Sequence, residues 1–203
     1  MKNEIVIIDY GMGNLHSVSK AVEAVGAVPI VTAEKRVIAA AEKIILPGVG
    51  AFGDCMKNLQ ATGLVPELIK HIKSGKGFLG ICLGMQLLFE SSEESPGVAG
   101  LGIFKGAVKR LTTEYKVPHM GWNRLKLKAA SPLIAVADGS YVYFVHSFHA
   151  VPKDSNIITA VCDYGTEITA VVGRDNIQAV QFHPEKSGEV GLKMLQAFKE
   201  WKL

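Results

Sequence analysis

The chain has 203 residues, 48% of them apolar and 20% charged, and a formal net charge of +3, which suits a single domain over 1–203 with a full core. Lys and Arg are scattered, which argues against nucleic acid. No apolar run reaches the roughly 18 residues that a membrane span needs, and the acid-bearing start Met1-Lys2-Asn3-Glu4 makes a poor signal peptide.

Glu4–Asp9 (EIVIID) is a short β-branched run that reads as a buried strand. Gly11-Met12-Gly13 makes a loop, and Asn14 is placed to cap a helix running to about Val25, with Leu15, Val18, Val22 and Val25 on one face. Val28–Val31 and Lys43–Leu46 read as strands, the second stopped by Pro47-Gly48-Val49-Gly50. Asp54 to about Lys73 is helical with a break near Gly63 and Pro66, Gly77–Ile81 is a strand, and Gly84–Glu90 a helix. Such alternation predicts a mostly parallel sheet covered on both faces. The second half differs. Gly106–Leu111, Arg124–Leu127, Tyr141–His146, Ile157–Cys162, Thr169–Gly173 and Gln178–Phe182 read as strands, some joined by turns such as Arg174-Asp175-Asn176. Gly188–Lys202 closes the chain as a helix. The expected fold is α/β: an open, mostly parallel sheet flanked by helices, with antiparallel additions in the C-terminal half.

Three cysteines, Cys55, Cys82 and Cys162, lack metal-site spacing, and their odd number fits a reduced, cytoplasmic compartment. Cys82 stands apart. Gly80-Ile81-Cys82-Leu83-Gly84 has the form of a nucleophile elbow with Cys in place of Ser. The flanking glycines suit a sharp strand-to-helix turn that crowds its neighbours. The turn would expose the sulfur at the carboxyl edge of the sheet and at a helix N-terminus. The Leu83 N–H is then best placed to hold an oxyanion. A buried core cysteine is the bland alternative. A thiol nucleophile needs a base, and the base needs an orienting group. Of six histidines, His183 has Glu185 two residues on, across Pro184; in an extended segment both point the same way. His146 and His149 can line a site but lack a paired acid, His119 reads as a packed loop residue, and His16 and His71 as ordinary helix positions.

Several stretches together resemble class I, triad-type glutamine amidotransferases: PGVGAF at 47–52, GICLGMQLLFE at 80–90, HSFH at 146–149 and QFHPEKS at 181–187. IDYGMGNLHSV at 8–18, PHMGWN at 118–123 and the Lys of HPEKSG at 183–188 resemble the glutaminase subunits of imidazole glycerol phosphate synthase. Met85 stands where many relatives of other function carry His. The resemblance implies a Cys82–His183–Glu185 triad that releases ammonia from glutamine through a thioester. It implies an oxyanion hole at Val49 and Leu83, and glutamine contacts from Gly50, Gln86, Ser147 and Phe148, the last two largely through backbone. It implies no cofactor or metal. Its partner is a separate (β/α)8-barrel cyclase subunit, met near Asn14, Trp122 and Lys186, because this chain is too short to hold a barrel of about 250 residues. Gly48 and Gly50 leave the Val49 peptide free to rotate, a possible gate on the oxyanion hole. The competing readings are a glutaminase serving anthranilate, pyridoxal phosphate or purine synthesis, a stand-alone cysteine hydrolase, and an inactive binding module of the same fold.

Overall fold

The computed structural model describes residues 3–135 and 137–202, so Met1 and Lys2 of the polar start lie outside the described residues. The first half alternates strand and helix: β1 (Glu4–Ile8), α1 (Leu15–Ala24), β2 (Val28–Thr32), α2 (Lys35–Ala40), β3 (Lys43–Gly48), α3 (Phe52–Ala61), α4 (Val65–Lys73) and β4 (Gly77–Cys82). A one-turn helix α5 (Leu83–Gln86) follows, then β5 (Ser91–Ser92), β6 (Gly106–Arg110), β7 (His119–Arg124), β8 (Lys126–Leu127) and β9 (Tyr141–His146). The chain ends through β10 (Phe148–Pro152), β11 (Ile158–Asp163), β12 (Glu167–Arg174), β13 (Ile177–Val180) and helix α6 (Gly188–Glu200).

Eight strands form one sheet in the order β2-β1-β3-β4-β13-β12-β11-β8. From β2 to β13 all pairs are parallel; from β13 to β8 they are antiparallel. This is the predicted α/β sheet with antiparallel additions. Strand alternation builds its two cores. Ile5 and Ile7 of β1 face α1 and α6, packing in one cluster with Val18, Val22, Leu195 and Phe198. Val6 and Ile8 face the other way, clustered with Ile38 of α2 and Met56 and Leu59 of α3. With both faces buried, a strand must be apolar throughout, which is why β1 reads as an unbroken run. Burying each such side chain contributes about 1.5–3 kcal/mol. Two smaller sheets, β10-β6-β5 and β7-β9, flank opposite faces. Val108 and Ala150 join the α2 side, while Val142 and Phe144 join the α1 side.

Four expectations need correction. The helix expected over 84–90 ends at Gln86. The carbonyls of Leu87, Leu88, Phe89 and Glu90 accept from the N–H groups of Leu101, Phe104, Gly102 and Gly100, so a distant loop replaces the helical ladder. Strand β3 runs on through Pro47 to Gly48, because Gly48 still pairs with Cys82 of β4. His119, expected in a loop, opens strand β7, whose whole length pairs with β9, and Arg124, expected to begin a strand running to Leu127, ends β7 instead. Helix α2 and strand β10 were not foreseen: α2 spans six residues with Ile38 alone buried, too short for a periodic signal, and β10 exists through its pairing with β6.

Candidate active site

Strand β4 delivers Cys82 to the carboxyl edge of the sheet, level with Gly48 at the end of β3. Cys82 has φ 54° and ψ −111°, a conformation that costs a non-glycine residue on the order of 1–3 kcal/mol. The neighbours enforce it. A Cβ on Gly84 would lie 1.9 Å from the Leu46 carbonyl oxygen, and one on Gly80 would lie 2.8 Å from that of Gly84. Only hydrogen fits at either position, so the sequence reading of a crowded elbow holds. The helix after it is a single turn, so the expected macrodipole contribution at the sulfur is small; what remains is the local N–H of Leu83.

Strand β13 lies parallel to β4 with Val180 opposite Ile81. The residues that follow β13 therefore emerge beside Cys82. His183 is anchored there: its N–H donates to the Tyr143 carbonyl, and its own carbonyl accepts from the Ser187 hydroxyl. Its Nδ1 meets Glu185 Oε1 at 2.8 Å, with both side chains almost wholly buried. The two are brought together by a 3-10 turn over Pro184–Lys186, not by the extended segment expected. Nε2 has no partner at ordinary hydrogen-bond distance among the described residues. Burial opposes an imidazolium here, but the proximity of Cys82 and Glu185 outweighs it and raises the His183 pKa well above its ordinary value. A thiol, an imidazole and a carboxylate in this order can carry out nucleophilic acyl transfer.

Cys82 and His183 share a cavity of about 180 Å³ with Val49, Gly50, Leu83, Gln86, Ser147 and Phe148. Every residue that the sequence nominated for oxyanion and substrate contacts lines this one space. Gln86 spends its amide nitrogen on the Phe148 carbonyl and on Gln181 Oε1, both at 2.9 Å. Its Oε1 is the end left for a ligand. The Phe148 carbonyl also accepts from His146 Nδ1, and the Ser147 carbonyl from the Leu111 N–H. The expected backbone contacts of Ser147 and Phe148 thus narrow to their N–H groups. Glu94, Val145 and His146 complete the lining. Sequence reasoning named His146 only as a possible neighbour and missed Glu94. Glu94 follows the two-residue strand β5, and its Oε2 accepts from the Phe52 N–H at the start of α3. An acid in a polar run carries no local sign of such a contact.

The other thiols are unsuited to attack. Burial pushes Cys55 up to about 11 and Cys162 up to about 12. Cys55 is also held between the Tyr10 hydroxyl and the Val49 carbonyl. His16 is exposed, and His71 is buried with Nε2 on the Gly77 carbonyl, so it is more than a plain helix residue. Beside the cavity, Trp122 is 55% exposed and Met120 61%. The Trp122 ring lies 6.1 Å from that of Tyr143, over which Lys186 Nζ sits at 5.9 Å. Trp122 and Lys186 therefore belong to one exposed patch. Asn14 caps α1, accepting from the Ser17 N–H at 3.2 Å. Among the described residues no helix is long and apolar enough to cross a membrane.

Known proteins match this architecture along nearly its whole length. The model of the glutamine amidotransferase class-I family matches residues 6–200. The imidazole glycerol phosphate synthase subunit HisH of Geobacter sulfurreducens is 51% identical, covering 98% of this chain and 99% of that protein. The subunit of the same name from Aquifex aeolicus is 52% identical over 96% of this chain and 95% of its own length. In fold, the chain superposes on the structure of PurLQS from Thermotoga maritima with a TM-score of 0.77, at 23% identity and 98% coverage of both. The chain therefore belongs to the class-I glutamine amidotransferases and, among them, to the HisH subunits of imidazole glycerol phosphate synthase.

Proposed function

We propose that this chain hydrolyses glutamine with Cys82, His183 and Glu185 and passes the ammonia to a separate (β/α)8-barrel cyclase subunit. That subunit makes imidazole glycerol phosphate and an aminoimidazole carboxamide ribonucleotide in histidine biosynthesis. The observation that carries the reading is the position of Cys82. It stands at a strained elbow, opens into a cavity, and faces a histidine already bound to a buried carboxylate.

In this reading Cys82 Sγ gives its proton to His183 and attacks the side-chain amide carbon of glutamine. The C–S bond forms as the carbonyl π pair moves to oxygen, which the N–H groups of Leu83 and Val49 hold. His183 returns the proton to the amide nitrogen, the C–N bond breaks, and ammonia leaves. Water then attacks the thioester while His183 takes its proton. Glutamate departs and the sulfur is restored. Glu185 keeps Nδ1 protonated and Nε2 turned to the sulfur. Gln86 Oε1, Gly50 and the N–H groups of Ser147 and Phe148 hold the substrate. The Glu94 carboxylate suits its α-ammonium group.

The patch of Trp122 and Lys186, with Asn14 at the start of α1, is the proposed docking face for the cyclase. Docking gates the Val49 peptide, so that the lone chain turns over little glutamine. The test is steady-state glutaminase kinetics of the chain alone, with cyclase, and with cyclase plus its nucleotide. Turnover should rise at each step, more in rate than in affinity, and equal turnover in all three would remove the gate. Cys82→Ala should abolish glutamine-dependent synthesis yet leave synthesis from free ammonium. Retained glutamine dependence in that variant would sink the assignment of the nucleophile.

A further inference from the structure

A hydrogen-bonded chain links β7 to the Cys82 sulfur, and its two branches converge on one acceptor. Its most constrained atom is the Phe148 carbonyl oxygen, which can only accept. It takes bonds from His146 Nδ1 and Gln86 Nε2, each at 2.9 Å. His146 therefore carries its proton on Nδ1, and its neutral Nε2 is an acceptor. His119 Nδ1 lies 2.9 Å from that nitrogen and must donate to it. His119 Nε2 is then an acceptor in turn, and it faces the Asn123 amide nitrogen at 3.3 Å, which also donates to the Asp163 carbonyl.

The other branch leads to the sulfur. The second hydrogen of the Gln86 nitrogen goes to Gln181 Oε1 at 2.9 Å. That bond decides which end of the Gln181 amide faces away. Its nitrogen, not its oxygen, meets Cys82 Sγ at 3.8 Å, within the longer reach of a sulfur acceptor. Gln181 is wholly buried, and Gln86, His119 and His146 are nearly so, so water cannot substitute for a missing link. The His119 ring is clasped between Phe144 at 4.7 Å and Tyr164 at 4.0 Å. Burial pushes His119 down to about 4. It pushes His146 down to about 3, against the pull of the Phe148 carbonyl and with the help of nearby His119, His149 and His183. Both rings stay neutral near pH 7, and the bonds of the histidine branch are kept.

We propose that Gln181 is a positioning residue for glutamine hydrolysis: its amide N–H holds the Cys82 sulfur in line with the cavity, and the Phe148 carbonyl, acting through Gln86, sets the direction of that amide. The inference rests on the reading of Cys82 as nucleophile. A donor on sulfur binds more strongly once the sulfur is negative, so the bond both aims the thiolate and favours it. Gln181 does not line the cavity. Its loss should therefore act on rate more than on substrate affinity.

The experiment uses the chain in complex with the cyclase and reads three quantities: glutaminase kcat, glutamine KM, and the rate of Cys82 alkylation by iodoacetamide at neutral pH. Gln181→Met keeps the volume and removes the donor. It should lower kcat and the alkylation rate by about tenfold each, the scale of one hydrogen bond to a charged group, with a smaller change in KM because Gln86 loses one partner. Should that variant fail to fold, Gln181→Leu serves in its place. His119→Phe keeps a ring between Phe144 and Tyr164 and cuts only the histidine branch, so it should leave both rates near the wild-type level. Wild-type kcat and alkylation in a folded Gln181 variant, or a loss that resides in KM, would overturn the positioning role. A loss in folded His119→Phe as large as that in the Gln181 variant would overturn the carbonyl as the group that sets the amide. Full glutaminase activity in Cys82→Ala would instead strike the underlying reading, so the two failures are distinct.

Discussion

Gly84→Ala sets two physical effects against each other. By helix propensity alone the change should stabilise the protein by about 0.5–1 kcal/mol, because alanine loses less chain entropy than glycine. The structure predicts the reverse. The new Cβ would sit 1.9 Å from the Leu46 carbonyl oxygen and 2.9 Å from its carbon, and both are backbone atoms that no rotamer change can move. Relief requires β3 and the elbow to separate by about an ångström, in a core where overpacking costs about 1–3 kcal/mol. With backbone on both sides the upper end applies. For a chain of this length about 3 kcal/mol lowers Tm by roughly 6–12 °C. The elbow carries Cys82, and a displacement of about 1 Å at a reacting group costs about 10²-fold in rate. Thermal unfolding by circular dichroism and glutaminase turnover with cyclase present measure the two effects. Gly75→Ala is the control: φ is +81° with nothing within 4 Å, so it should lose about 1 kcal/mol to strain and no activity. A Gly84→Ala protein with wild-type Tm and turnover would refute the steric account of the elbow.

Trp122→Ala should weaken cyclase binding by about 30-fold, the effect of losing a hot-spot aromatic, and leave Tm unchanged because the ring is 55% exposed. An unaltered Kd by titration calorimetry would move the docking face elsewhere. His183 holds its proton more tightly folded than unfolded, so its contribution to stability is complete below about pH 6.5 and is lost as pH rises toward about 10. Glu185→Gln should flatten that alkaline decline in urea midpoints, and parallel curves would count against the pair. His119 and His146 act in the opposite sense: kept neutral by burial, they contribute above about pH 6.5, and the contribution is lost as pH falls toward about 3. His146→Gln should flatten the acid decline, and an unchanged acid limb would show that the histidine is not held neutral by the fold.

Some features of this protein follow from neighbouring residues alone. The elbow at Cys82 was legible because Gly-x-Cys-x-Gly states a steric condition within five residues. The strands β1, β3 and β4 were legible because burial on both faces demands an unbroken apolar run. His183 and Glu185 could be paired from sequence because they lie two apart, even though a 3-10 turn rather than extended chain brings them together. Other features depend on partners far along the chain, which leave no local mark. Helix α5 stops at Gln86 because the loop at 100–104 claims the next carbonyls, and His119–Arg124 is a strand because β9 lies beside it. Glu94 enters the cavity because α3 takes its carboxylate. Gln181 reaches the sulfur because Gln86 has claimed its oxygen, and Gln86 in turn is aligned by a carbonyl 62 residues away. Local sterics and apolar periodicity are short-range and can be read in order, whereas a buried hydrogen bond is specified by two groups at once, and only the folded chain brings the second one into place.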